Sequence, residues 1–276
     1  MIAADRITYL LDHYPPNARV YKSRLPKPGG GFRPITKPNK ELKKWLRDMN
    51  RALRVQYNNW PKFMHGGIKK RSYISYARLH VNKPCVITID IKRCFDSITT
   101  DEVAEALQRY LQLPEGGCKQ LAQRLCFLGH IPQGFPTSNY LCNAYLCEPL
   151  SALQKSLATQ GIMLTNYVDD LAASGRISAP DEVVNEIALT LSHAQLAVSK
   201  AKVRIMPSSR RQLICGLIVN KRLSLTRSLK LKLLRDIATG QMSEDTAMGW
   251  ISHLKMINPT FQQKLRAYAF KKGVLK

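Results

Sequence analysis

"TNYVDDLAAS", residues 165–174, sets Asp169 and Asp170 side by side between apolar flanks. The run "IMLTNYV" (162–168) before them and "LAAS" (171–174) after them read as two short strands about a tight turn. That is a hairpin with both acids at its tip. An aspartate pair alone is ordinary turn chemistry, since Asp favours turn backbone. Here the pair interrupts a stretch that otherwise reads as buried, in a chain with 19 Asp+Glu against 43 Lys+Arg. A second acid has a similar setting. "CVITIDI" (85–91) is a β-branched, almost wholly apolar run with the character of a buried strand, and it ends around Asp90.

Carboxylates brought together from separate strand ends repel one another unless a cation holds them. Hard divalent ions take oxygen ligands, and Mg²⁺ uses one or two carboxylates plus substrate phosphates. Two such ions, roughly 3.5–4 Å apart, activate an attacking hydroxyl and stabilise the leaving oxygen of an in-line phosphoryl transfer. The sequence therefore predicts that Asp90 converges on Asp169 and Asp170 at a site for two Mg²⁺ ions, where a triphosphate arrives.

The composition supports a phosphate-rich partner. The chain has 276 residues and a formal net charge of +24, with 45% hydrophobic residues and three Trp. Such a chain can bury a substantial core, and its positive field suits a phosphate polymer. A membrane surface is the alternative. No long apolar run, signal-peptide pattern or lipidation motif speaks for it, so no membrane partner and a cytoplasmic location are expected. None of the seven Cys lies in a C-x-x-C pair, which argues against structural zinc and disulfides and for buried free thiols.

Other elements follow from local pattern. "PKPGGGFRP" (26–34) is the strongest loop signal. Residues 39–57 carry Leu42, Trp45, Leu46, Met49 and Leu53 at helical spacing, with Lys40, Lys43, Lys44, Arg47, Arg51 and Arg54 on the other face. Helices are predicted over 100–113 with Thr100 as N-cap, in the later part of 132–158, and over 182–196, 226–240 and 243–258. Asn258-Pro259 should open a last helix as N-cap and first residue. Residues 203–206 and 211–219 read as further strands.

In order along the chain, seven segments resemble the motifs of reverse transcriptases, and within them the bacterial retron-type group. "LPKPGGGFRPITKPNKELKKW" resembles the fingers motif, and "HGGIKKRSYISYA" (65–77) the H-G-x-x-x-x-R-S segment. "VITIDIKRCFDSI" (86–98) resembles the first palm motif, "IPQGFPTSNYLCN" (131–143) the P-Q-G-x-P-x-S loop, and "YVDD" the second palm carboxylate motif. "LAVSKAKVRI" (196–205) resembles the segment with a palm lysine, and "ISHLKMINP" (251–259) a thumb stretch. The resemblance runs from about residue 20 to residue 270. Three segments depart from the retron pattern: Tyr76-Ala77-Arg78-Leu79-His80 for N-A-x-x-H, Ile214-Cys215-Gly216 for V-T-G, and Val168 in a tetrad that is usually Y-A-D-D. His80 is read as a satisfied structural histidine.

The resemblance implies an α+β right-hand polymerase, its palm an antiparallel sheet backed by helices and its thumb helical. Fingers would span 1–80, with an added part near 100–130, palm 81–220 and thumb 221–276. It implies RNA-directed DNA synthesis from dNTPs. Asp90 and Asp169 would bind both metals with help from the Ile91 carbonyl, and Asp170 would support the ion nearer the primer end. Arg33 would contact the triphosphate, with Lys27, or alternatively Lys22, beside it. Phe95 would lie under the incoming sugar and exclude a 2′-hydroxyl, or else be plain packing. Gln133 and Gly134 would abut the template and nascent base pair, and Tyr167 would pack near the primer terminus. Lys202 would donate a proton to the departing pyrophosphate. Asp96 is read as structural or solvated.

A true retron enzyme would also hold a structured noncoding RNA as template and primer, keep its branched RNA–DNA product (msDNA), and work with an effector protein in anti-phage defence. Two alternatives stand beside it: another defence-associated reverse transcriptase, and a catalytically silent RNA-binding subunit. No RNase H, endonuclease or maturase region is expected, which disfavours intron mobility.

Overall fold

The computed structural model describes residues 3–26 and 30–275. Its elements begin with helix α1 (Ala3–Asp12), a hairpin of β1 (Val20–Pro26) and β2 (Phe32–Pro38), helix α2 (Lys40–Gln56) and short α3 (Tyr73–Arg78). Strand β3 (Cys85–Asp90), a single turn α4 (Cys94–Ser97), α5 (Thr100–Gln108), α6 (Gly117–Leu125) and the long α7 (Ser138–Thr159) follow. Then come β4 (Met163–Tyr167), β5 (Asp170–Gly175), α8 (Pro180–His193), a 3-10 turn at Lys200–Lys202 and β6 (Arg204–Pro207). The C-terminal part holds β7 (Leu213–Ile214), β8 (Leu217–Ile218), β9 (Ser224–Leu225), α9 (Arg227–Ala238), α10 (Glu244–Ile257) and α11 (Pro259–Lys271).

The central sheet has the order β4-β5-β3-β6 and every pairing in it is antiparallel. Its two faces bury different cores. Ile87 and Ile89 of β3, with Leu171 and Ala173 of β5, join a large core built with α1, α2, α5, α6, α7 and α8. Val86 and Ala172, one residue out of phase, join a second core with α3, the β7–β9 sheet and α9 to α11. Burial on both faces explains why these strands read as continuous apolar runs. Each fully buried Ile or Leu contributes about 1.5–3 kcal/mol, so both faces hold the sheet firmly.

Most predicted elements form where the pattern places them. Asn39 caps α2 by accepting from the Leu42 amide, and Asn258 caps α11 by accepting from Phe261. Three details differ. The N-cap of α5 is Thr99, not Thr100: Thr99 and Glu102 form a reciprocal capping box. That helix ends at Gln108, well before Leu113, ahead of a Pro114-Glu115-Gly116 turn. The expected strand over 211–219 is a tight hairpin, because Cys215 (φ 45°) and Gly216 (φ 79°) turn the chain back between β7 and β8. Six of the seven cysteines are buried or half-buried and all are free, but Cys215 is exposed at that turn.

Candidate active site

The hairpin tip is built under constraint. Tyr167 pairs with Asp170, leaving Val168 and Asp169 as the two-residue turn. Val168 has φ 59°, a region that β-branched residues rarely enter. Three contacts hold it there. The Asn166 side-chain amide donates to the Val168 carbonyl at 2.7 Å, and the Ile91 amide donates to the Asp169 carbonyl at 2.9 Å. Gly66 presses from below: a Cβ on it would stand 2.4 Å from both the Val168 amide and its Cγ2. The segment carrying Gly66 is fixed in turn. The His65 amide donates to the Asn166 carbonyl, and the Arg71 guanidinium donates to the carbonyls of Trp60, Pro61 and Met64.

Strand register brings the third acid to the tip. Asp90 is the pairing partner of Asp170. Both lie in phase with Val86 and Ala172, on the sheet face toward the second core. They open into a cavity of about 290 Å³ lined also by Tyr76, Thr88, Lys202, Arg204, Cys215 and Gly216. The Tyr76 hydroxyl donates to the Asp170 carbonyl at 3.2 Å, and the Cys215 thiol stands 3.9 Å from the Asp170 carboxylate.

The negative charge of Asp90 acts on both acids of the hairpin tip. Burial, then the charges of Asp169 and Asp90, raise the Asp170 pKa to about 6. Burial is also the first cause of the raised pKa of Asp169, with Asp90 adding to it. The cations that relieve both are Lys202 and Arg33. Lys202 does so by a direct contact. The Asp90 carbonyl accepts from the Ser199 amide at 2.8 Å, which draws the 3-10 turn alongside β3. The Lys202 ammonium then donates to both Asp90 carboxylate oxygens at 2.8 Å. Among the described residues no three His, Cys, Asp or Glu side chains form a ready metal cage, and the Asp90 carboxylate is paired with Lys202. The donor set still suits a hard cation: all-oxygen, partly desolvated and mutually repulsive.

The other predicted residues are placed as follows. Arg33 lies on β2 opposite Leu25. Lys22 and Arg24 alternate with Leu25 along β1 and so lie on the other face of the hairpin from Arg33. Lys27 lies outside the described residues. The Gln133 carbonyl accepts from the Thr36 amide at 2.8 Å, joining the loop to β2. Gly134 has φ 128°, and a Cβ there would meet the Thr36 carbonyl oxygen at 2.5 Å, so only glycine fits. Phe95 is half-buried against the large core. The Tyr167 ring packs 5.7 Å from that of Tyr76. Asp96 stands outside the acid cluster, paired with Arg93 at 3.3 Å. His80 is fully buried and bonded to Ser174 and Thr165. Sequence reasoning placed Gly66 and Arg71 in the H-G-x-x-x-x-R-S segment and Tyr76 in the segment that departs from N-A-x-x-H, but gave none of them a role, because their contacts exist only in the folded chain.

Comparison with known proteins shows the family. Residues 25–218 match the family model described as reverse transcriptase (RNA-dependent DNA polymerase). The chain is 28% identical over 265 residues to the retron Mx65 reverse transcriptase of Myxococcus xanthus, covering 87% of this chain and 62% of that protein. It is 24% identical over 262 residues to the retron Ec86 reverse transcriptase of Escherichia coli, covering 92% of this chain and 80% of that one. The chain thus spans about three-fifths of the Mx65 protein's length. Among solved structures it superposes on telomerase from Candida albicans in complex with a fragment of telomeric RNA. The TM-score is 0.54 at 12% identity, over 92% of this chain and 60% of that one. Apo telomerase from Candida tropicalis gives the same TM-score over 98% of this chain and 60% of that one. The mixed helix-and-sheet architecture is that of a right-hand polymerase.

Proposed function

This chain belongs to the reverse transcriptase family, and from that premise we propose that it is a retron-type RNA-directed DNA polymerase. The observation that carries the reading is the register of Asp90 against Asp170, with Asp169 at the adjoining turn. In this reading residues 1–80 are the fingers, with an added part near 100–130, 81–220 the palm and 221–276 the thumb.

Asp90 and Asp169, with the Ile91 carbonyl, would hold two Mg²⁺ ions, with Asp170 in support. When bound, that ion pair supplies charge stabilisation for in-line transfer of a nucleotidyl group. The chain's own residues do the rest. Arg33 pairs with triphosphate oxygens through a planar fork. The half-buried Phe95 ring limits the space at the sugar's 2′ position. Gln133 and Gly134 lie against the template and nascent base pair, on a loop that Gly134 packs closely against β2. Tyr167 packs at the primer end. Lys202 keeps Asp90 compensated in the free protein and then protonates the departing pyrophosphate.

The template is a structured noncoding RNA retained with its RNA–DNA product, and an effector protein acts with the complex in anti-phage defence. The setting is cytoplasmic; among the described residues no helix is long and apolar enough to cross a membrane. The test has two arms. Purified protein should extend a primer on RNA with dNTPs, and the Asp169→Asn/Asp170→Asn variant should lose this by at least about a hundredfold. Sequencing of copurified nucleic acid should give a branched RNA–DNA molecule. Undiminished incorporation by the variant overturns the polymerase site. An unbranched product points to another defence reverse transcriptase, and no incorporation by the wild type to a silent RNA-binding subunit.

A further inference from the structure

A groove of about 750 Å³ lies between α5, α7 and α8. These helices pack on the large-core face of the central sheet, whereas Asp90 and Asp170 lie in phase with residues of the opposite face. The groove's rim is acidic: Glu102 and Glu105 from α5, Glu148 from α7 and Glu186 from α8. Arg109 is the one Lys or Arg on it, and Glu148 already pairs with that guanidinium at 3.0 Å. His193 is the other basic side chain there. Glu102 accepts from the Tyr145 hydroxyl and Glu186 from the Ser156 hydroxyl, both uncharged donors. Glu105 is exposed, with no ion pair or hydrogen bond among the described residues. The local excess is therefore negative, in a chain with 43 Lys+Arg against 19 Asp+Glu.

Between these acids the groove is apolar. Pro149, Ala152 and Leu153 of α7 line it together with Leu189 of α8. Val183, Ile187 and Leu191 form the buried stripe of α8, so Leu189 stands on the other side of that helix, 59% exposed. The stripe that holds α8 to the core does not use it. Acids alone would read as a solvated helix surface. An apolar strip enclosed by carboxylates from three helices is what such a surface lacks, and it matches the groove of a helix-binding site.

We propose that this groove docks a cationic amphipathic helix of a partner protein. Apolar side chains of that helix cover Leu189, Leu153 and Pro149, and its flanking Lys or Arg residues meet the carboxylates of the rim. Nucleic acid is the wrong occupant, because its phosphates would meet like charge here. The chain's net charge of +24 does not reverse this. At physiological salt exposed charges are largely screened beyond about 8 Å, so the rim sets the local potential. The proposal stands on this groove and does not rest on the polymerase reading. A second copy of this chain, offering the basic outer face of α2, is the competing occupant.

The probe is a fluorescent peptide of about eighteen residues, five helical turns, with a stripe of Leu flanked by Lys. A control peptide of equal charge has Gln in place of Leu. Both are titrated by anisotropy into the full chain at about 0.15 M salt. The wild type should bind the Leu peptide at least about tenfold more tightly than the control. Leu189→Gln should weaken the Leu peptide by about fivefold or more, and Glu105→Lys should do the same. Both positions are exposed, so the variants should keep the wild-type Tm. Val55→Gln, at an exposed apolar position on α2 away from the groove, should change nothing. Equal binding of the two peptides overturns the proposal, as does wild-type affinity in Leu189→Gln or Glu105→Lys, or an equal loss in Val55→Gln. Sedimentation of the protein alone supplies the last arm. Self-association that Glu105→Lys abolishes assigns the groove to a second copy and overturns the partner; a monomer at all concentrations supports it.

Discussion

Replacing Asp170 by Asn should make the cation-free protein more stable while destroying its chemistry. Burial and two neighbouring anions raise the Asp170 carboxyl from 3.8 to about 6. The native state thus binds this proton more tightly than the unfolded chain does. Stability contributed by such a group falls as pH rises from about 4 through about 6, and the deficit is complete at pH 7.5. Two pKa units correspond to about 3 kcal/mol at most. Relaxation and the amide's own desolvation reduce this, leaving a gain of about 1–2 kcal/mol for Asp170→Asn. For a chain of this size that is a Tm increase of roughly 2–8 °C. The assay is urea unfolding followed by tryptophan fluorescence in EDTA, at pH 7.5 and again at pH 4. At pH 7.5 the variant should be the more stable. At pH 4 the native carboxyl carries the proton and the unfolded one is roughly half protonated, so most of the gap between the two midpoints should close. Millimolar Mg²⁺ should stabilise the wild type and narrow the gap at pH 7.5. An Asn variant no more stable than the wild type at pH 7.5 without divalent ions would refute the reasoning. It would mean that Lys202 and Arg33 already neutralise the repulsion.

Three further outcomes are expected. Gly66→Ala should cost about 3 kcal/mol in unfolding free energy and most of the incorporation rate, because its Cβ would sit 2.4 Å from the Val168 amide, which cannot yield. Phe95→Val keeps an apolar side chain but removes the ring, and the preference for dNTP over NTP should drop about tenfold or more in single-nucleotide extension. Lys202→Met frees Asp90 of its ammonium partner. Mn²⁺ should then bind about threefold more tightly by electron spin resonance, while the rate of incorporation falls.

The sequence made the hairpin and its acids legible because its signals are local. An apolar run, a turn pair and a second apolar run need no tertiary information, and the caps at Asn39 and Asn258 are read the same way. What stayed hidden depends on partners distant in the chain. The Lys202 contact to Asp90 spans 112 residues and exists because Ser199 bonds the Asp90 carbonyl. The 211–219 segment reads as one strand because Cys215 gives no turn signal, and its positive φ is set by the fold. Thr99 and Thr100 both suit an N-cap, and only the reciprocal bond from Glu102 separates them.

The hidden part with most consequence is parity. The sheet is buried on both faces, so β3 shows no alternation from which to tell which residues point where. Yet the acids meet because of it. Ile87 and Ile89 face the large core, Val86 faces the second, and Asp90 shares the phase of Val86. Asp170 shares the phase of Ala172 in the same way. A slip of one residue between β3 and β5 would turn Asp90 toward the large core and away from Asp170. It would also expel isoleucines from a core whose shape they fill, at about 1.5–3 kcal/mol for each side chain exposed. Two unlike hydrophobic cores, one on each face, therefore enforce the register that joins three acids drawn from positions eighty residues apart.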